Sequence, residues 1–96
     1  MTTFVITRYV IHLQDTFALN LRKGGKCLSV GNEPSDVDPS AMTNVLYVLE
    51  QPDRPYKLRH FRLAYAALEF SDDGDLDFVG TFKINGNGPV AHLFET

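Results

Sequence analysis

An all-β domain, a compact antiparallel sandwich or small barrel ending in a C-terminal hairpin, is what this chain is expected to form. Three observations carry that expectation. Seven short runs rich in β-branched and aromatic residues recur along 96 residues, the spacing of strands in an all-β domain. Clusters of Gly, Pro, Asn and Asp separate them, residues that turns require for φ or for local hydrogen bonds. Apolar side chains alternate with period two in several runs, so each has a face to bury. An α+β variant with one short helix is the alternative.

The first strand is read over Phe4 to Leu13 (FVITRYVIHL). In the second, Phe17, Leu19 and Leu21 alternate with Ala18, Asn20 and Arg22. Lys23-Gly24-Gly25-Lys26 breaks the pattern, and Gly-Gly between strand residues signals a hairpin turn. Cys27 to Val30 resumes the extended pattern. Residues Gly31 to Met42 form the longest polar stretch, read as a loop in which Asp38 caps one helical turn opened by Pro39. Asn44 to Glu50 is a strand, and Pro52-Asp53-Arg54-Pro55 a turn. Tyr56 onward alternates as a strand through Leu63, while Ala64 to Phe70 has good helix formers and stays open between strand and helix. Ser71 to Asp75 is a turn. Leu76 to Ile84 and Val90 to Glu95 form the closing hairpin through a two-residue turn within Asn85-Gly86-Asn87-Gly88.

Period two assigns the faces of that hairpin. Phe78, Gly80, Phe82 and Ile84 share one with Ala91 and Leu93; Val79, Thr81 and Lys83 share the other with Val90, His92 and Phe94. Both are apolar, and the strand holding Val45, Leu46, Tyr47, Val48 and Leu49 is apolar on both sides as well. Strands of this kind need a layer on each side. The expected cover is a second copy in a symmetric homodimer, with Val79, Thr81, Val90, His92 and Phe94 at the interface; a helix over residues 64–70 is the alternative.

The totals set bounds. Ninety-six residues suit one domain, 1–96, and 44% hydrophobic with 22% charged residues is an ordinary folded balance. A net charge of −3 argues against general nucleic-acid or anionic-membrane binding. A single cysteine, Cys27, permits no internal disulfide and suits a reducing compartment. No apolar run reaches the ~18 residues of a membrane span, and Met1-Thr2-Thr3-Phe4 does not open a signal peptide. A cytoplasmic protein is expected.

Catalytic and metal chemistry finds little support. His12, His60 and His92 are not spaced as a metal pair, and His92 lies where Thr81 can satisfy it. Cys27 has no histidine near it in sequence. Asp72, Asp73, Asp75 and Asp77 fail the EF-hand frame, because Phe78 stands where its glycine belongs. No nucleophile elbow or phosphate loop is present. No enzyme, metal or cofactor is expected. The polar group that stands out is basic: Arg54, Lys57, Arg59, His60 and Arg62 fall within nine positions, and Arg22, Lys23 and Lys26 form a second group at the Gly-Gly turn. Lys57, Arg59 and Arg62, with Phe61 and Tyr65 as stacking partners, are the candidate residues for a phosphate, a nucleotide or an acidic protein surface. A charge-protected edge strand is the structural alternative.

The order of several short motifs resembles a family of short phage-encoded proteins of unknown function, the DUF7352 type. The motifs are Gly25-Lys26-Cys27-Leu28-Ser29-Val30, Val45-Leu46-Tyr47-Val48-Leu49-Glu50, Arg59-His60-Phe61-Arg62, Phe78-Val79-Gly80-Thr81 and His92-Leu93-Phe94-Glu95. One departure stands out: Ala64-Tyr65-Ala66-Ala67 occupies the place of a Gly-Thr-Gly-His stretch in such proteins. The resemblance implies a phage accessory protein in the host cytoplasm and assigns no activity. The functions expected are binding, with inhibition of a host or anti-phage defence protein; sequestration of a nucleotide or phosphorylated signal; or a minor place in the virion.

Overall fold

Alternating side chains sort into two antiparallel sheets in the computed structural model, which describes residues 1–12, 14–66, 69–70 and 74–96. The strands are β1 (Val5–Ile11), β2 (Thr16–Arg22), β3 (Lys26–Pro34), β4 (Met42–Glu50), β5 (Tyr56–Tyr65), β6 (Asp77–Lys83) and β7 (Val90–Glu95). One sheet has the order β1-β4-β3 and the other β2-β5-β7-β6. They stack as a small sandwich. The core between them joins Ile11, Leu46 and Val48 of one sheet to Leu21, Phe61, Leu63, Phe82, Ala91 and Leu93 of the other. No helix among the described residues is long and apolar enough to cross a membrane.

Several expectations are corrected. The Gly24-Gly25 turn is not a hairpin: β2 pairs with β5 and β3 with β4, so the turn carries the chain from one sheet to the other. Gly24 takes φ +80°, which favours glycine. Gly25 is packed so closely that a Cβ would lie 3.0 Å from the Arg22 carbonyl oxygen and 3.2 Å from Val48 Cγ1. The expected 31–42 loop shrinks, because β3 continues to Pro34. Asp38 and Pro39 open no helix; they form a turn in which the Ala41 N–H donates to the Asp38 carbonyl and the Ser40 N–H to Asp38 Oδ1. A carboxylate beside its own chain stabilises such a turn as readily as a helix start.

The closing hairpin is the larger correction. Its connection is not a two-residue turn but a short 3-10 turn, Ile84–Gly86, followed by Asn87 and Gly88. The Ile84 N–H donates to the Pro89 carbonyl and the Gly88 N–H to that of Ile84. Asn85 sits at φ 53° and is held there from β4: its N–H donates to Asn44 Oδ1, and Asn44 Nδ2 donates to Asn85 Oδ1. A bulge between Phe78 and Gly80 then breaks the period of two. Val79 turns toward the core and Phe78, paired with Phe94, moves to the outer face. Val79 is therefore not part of the outer strip. Gly80 at the bulge faces β3, where a Cβ would lie 2.8 Å from Val30 Cγ1.

The two-sided apolar strands find cover within the chain only in part, since Phe78 is 60% and Val90 42% exposed. β5 runs through Tyr65 and Ala66 lies in a turn; Ala67 and Leu68 fall outside the described residues. Just beyond, the Phe70 ring lies 6.4 Å from that of Phe94, and Phe78 meets Phe94 edge-on at 5.6 Å. On the other sheet Val45 points outward yet is fully buried. The register places it between Val10 and Gly31, beneath an ion pair that Arg8 makes to Glu33 across β4. His92 does lie opposite Thr81, whose Oγ1 is 2.8 Å from His92 Nδ1.

Candidate functional site

The two basic groups of the sequence meet at one end of the sandwich. The β2–β3 turn brings Lys23, the β4–β5 turn brings Gln51 and Arg54, and the start of β5 brings Lys57, Arg59 and His60. They surround an open groove of about 670 Å³ that β7 closes with Glu95. The turns are tied together: the Lys23 N–H donates to the Pro55 carbonyl, and Arg22 Nη1 to the Arg54 carbonyl at 2.9 Å. Arg22 lies 3.9 Å over the Tyr56 ring, its cross-strand partner.

The cations divide into two kinds. Arg59 faces inward and is committed: its guanidinium makes a two-point pair with Glu95, with Nη2 to Oε1 at 2.6 Å, and also donates to the Gly25 carbonyl. Hydrogen bonding to Glu95 raises its pKa, so it stays charged. Lys23, Arg54 and Lys57 are exposed and have no ion-pair partner among the described residues. The Arg54 side chain donates from Nε to Gln51 Oε1 at 3.3 Å. Close, unpaired cations of this kind attract an anion and lose little desolvation free energy at an open rim.

The five candidate residues are therefore dispersed. Lys57 and Arg59 line the groove. Phe61 does not: it is 1% exposed and stacks on Phe17 with ring centroids 5.4 Å apart. Tyr65, of the same parity, packs against the core. Arg62 lies on the outer face of β5, 4.9 Å over Phe70, and its buried Nε has no hydrogen-bond partner. Lys26 points away with the outer row of the three-stranded sheet, opposite Leu49.

Beside the groove, sequence reading missed Glu50, which is 2% exposed at the end of β4. It accepts from Tyr9 Oη at 2.8 and 2.9 Å and from the Arg22 N–H at 2.7 Å. Burial disfavours its charge, but the bonds from Arg22, Thr7 and Tyr9 outweigh that and hold its pKa below the ordinary range. Burial, then the bond to Glu50, pushes the Tyr9 phenol up. Nothing local marks Glu50 or Glu95, because their partners lie far away in sequence. Cys27 is half-buried, and burial pushes its thiol up, the reverse of activation for attack. No metal-holding group of three or more His, Cys, Asp or Glu occurs among the described residues; Asp72 and Asp73 lie outside them.

Comparison with curated proteins and with solved structures finds no match. Against protein families, residues 2–96 match the domain of unknown function DUF7352, so the chain belongs to that family.

Proposed function

We propose that this protein acts by binding rather than by catalysis, and that its recognition surface is the basic groove between the β2–β3 and β4–β5 turns. One observation carries the reading: Lys23, Arg54 and Lys57, from three separate segments, converge without carboxylate partners among the described residues, on a chain whose net charge is −3. The partner suited to it is an acidic protein surface. Tyr56 and Leu58 stand exposed beside the cations, and an apolar side chain among basic ones gives such a contact both area and charge. The resemblance to short phage-encoded proteins supports an accessory role in a host cytoplasm, with a host or defence protein as the target. Occupation of the groove by a phosphorylated small molecule is the second reading, favoured by a volume within the ~300–1,000 Å³ of ligand sites.

The test is an affinity capture from host lysate with the wild type and an Arg54→Glu/Lys57→Glu variant, the captured protein then being titrated pure. The variant is expected to bind at least about tenfold more weakly, and wild-type binding to weaken with salt. Equal capture by both proteins removes the reading. Thermal stabilisation by nucleoside di- or triphosphates, lost in the same variant, moves the conclusion to the small ligand. Recovery of the protein in purified particles, with neither binding activity, assigns it to the virion instead.

A further inference from the structure

The β6–β7 connection holds two Asn-Gly pairs, Asn85-Gly86 and Asn87-Gly88, and both asparagines are exposed. This dipeptide is the one most open to spontaneous deamidation, because glycine has no side chain to shield its backbone nitrogen from the neighbouring carboxamide. The nitrogen attacks Cγ of the asparagine and gives up its proton. A nitrogen–carbon bond closes a five-membered succinimide, and Nδ2 leaves as ammonia. Water then opens the ring at either carbonyl and leaves aspartate or isoaspartate. Water is the only co-reactant, and nothing is oxidised or reduced.

Geometry decides whether the attack can begin. Ring closure requires the glycine nitrogen to swing beside the asparagine Cβ. Asn85 has ψ 24° and Asn87 ψ 6°. Near zero, ψ sets the following nitrogen against the residue's own nitrogen and away from its side chain. Both pairs are therefore held short of reaction, but by different means. At Asn87 the hold is local: the attacking Gly88 N–H is bound to the Ile84 carbonyl at 2.7 Å within the same turn. At Asn85 the hold comes from the facing sheet. Asn44, 2% exposed on β4, accepts from the Asn85 N–H at 2.9 Å and donates from Nδ2 to Asn85 Oδ1 at 3.1 Å. One bond fixes the backbone at φ 53° and the other fixes the carboxamide, so the two reacting groups cannot turn toward each other without breaking them. Asn44 is itself anchored, accepting from Asn32 Nδ2 at 3.0 Å.

We infer that Asn85 is a modification site latched by Asn44: it keeps its amide while the connection is closed and converts to aspartate or isoaspartate when the connection opens. Reclosing does not undo the conversion. Isoaspartate carries the main chain through its side-chain carbon and so lengthens the backbone at this position. The N–H and the side-chain oxygen then no longer meet Asn44 together, and a buried amide loses partners that water cannot easily replace. Local opening, a reversible event elsewhere in a fold, becomes permanent at this one joint.

Peptide mapping by mass spectrometry that separates aspartate from isoaspartate, followed over time at mildly alkaline pH, tests this. In the folded wild type Asn85 is expected to convert at least about tenfold more slowly than in the same chain unfolded by guanidinium chloride. Asn44→Ala is expected to raise the rate at Asn85 at least about fivefold, and the rate at Asn87 by less. Asn32→Ala, which removes only an anchor of Asn44, is expected to give the same ordering should Asn44→Ala not fold. Phe61→Leu weakens the core without removing any of these bonds and is expected to leave Asn85 near its wild-type rate, so general loosening is told apart from a lost latch. Equal rates at Asn85 in folded and unfolded wild type overturn the inference. So does a folded Asn44→Ala protein in which the Asn85 rate is unchanged, rises no more than that of Asn87, or rises no more than in Phe61→Leu.

Discussion

Phe61→Ala is expected to cost about 4 kcal/mol and to lower Tm by about 20 °C in thermal unfolding followed by circular dichroism. Phe61 is the largest of the fully buried side chains and sits on the central β5. It stacks on Phe17, with ring planes 13° apart, and belongs to the cluster shared by both sheets. Truncation removes that burial and leaves a cavity that two hydrogen-bonded sheets cannot easily close. A domain of this size has only about 5–15 kcal/mol in all, so the variant stands near its unfolding threshold. Phe61→Leu is expected to recover more than half of the loss. A fall of less than about 1 kcal/mol for Phe61→Ala would place the ring at the surface, where ligand stacking becomes feasible again.

Glu50→Ala is expected to cost about 3 kcal/mol, because it removes the buried acceptor shared by three half-buried residues, through the Tyr9 hydroxyl, the Arg22 N–H and the Thr7 side chain. The same carboxylate sets an acid limb. Its folded pKa lies below its unfolded value, so the stabilisation is complete above the unfolded pKa of about 4.3. It is lost as pH falls through the folded pKa, and stability therefore drops below about pH 4. Tyr9 has the opposite sign. Its folded pKa is raised, so its contribution is complete below the ordinary phenol value of about 10 and is lost as pH rises through the folded value. Denaturant unfolding between pH 3 and pH 7 checks the acid limb. Glu50→Gln, which cannot ionise, is expected to flatten it at the cost of lower stability at pH 7. An unchanged acid limb in Glu50→Gln would assign it to other carboxylates.

Strand positions and the all-β class are legible in the sequence because side-chain period and turn chemistry are local. Thr16–Arg22, Met42–Glu50 and Val90–Glu95 are read within a residue or two for that reason. The His92–Thr81 contact was legible too, since the residues between Gly80 and Lys83 keep their period. What a bulge does was not: one extra residue between Phe78 and Gly80 exchanges Phe78 and Val79 between faces, and nothing in Phe-Val-Gly-Thr announces it. The basic groups were legible as composition, but their convergence was not, because it depends on the two turns that carry the chain between sheets. Phe61 had a usable signal. It shares parity with Leu63 and lies beside the inward Arg59, so alternation alone argues for the core. Arg59 itself was read as free because its partner Glu95 lies on β7, 36 positions away.

The chain changes layer between β1 and β2, at residues 23–25 and at 51–55, and β7, last in chain order, lies between β5 and β6. The four-stranded sheet is consequently unfinished until residues 90–95 arrive, and β2 waits for β5 across the whole of β3 and β4. Pairings this remote require long loops to close before any contact offsets their entropy. Folding is then expected over milliseconds to seconds in one late, concerted step. On the ribosome the nascent domain would hold β5 and β6 with bare edges until its final strand slots between them, a window in which a holding chaperone has most to offer.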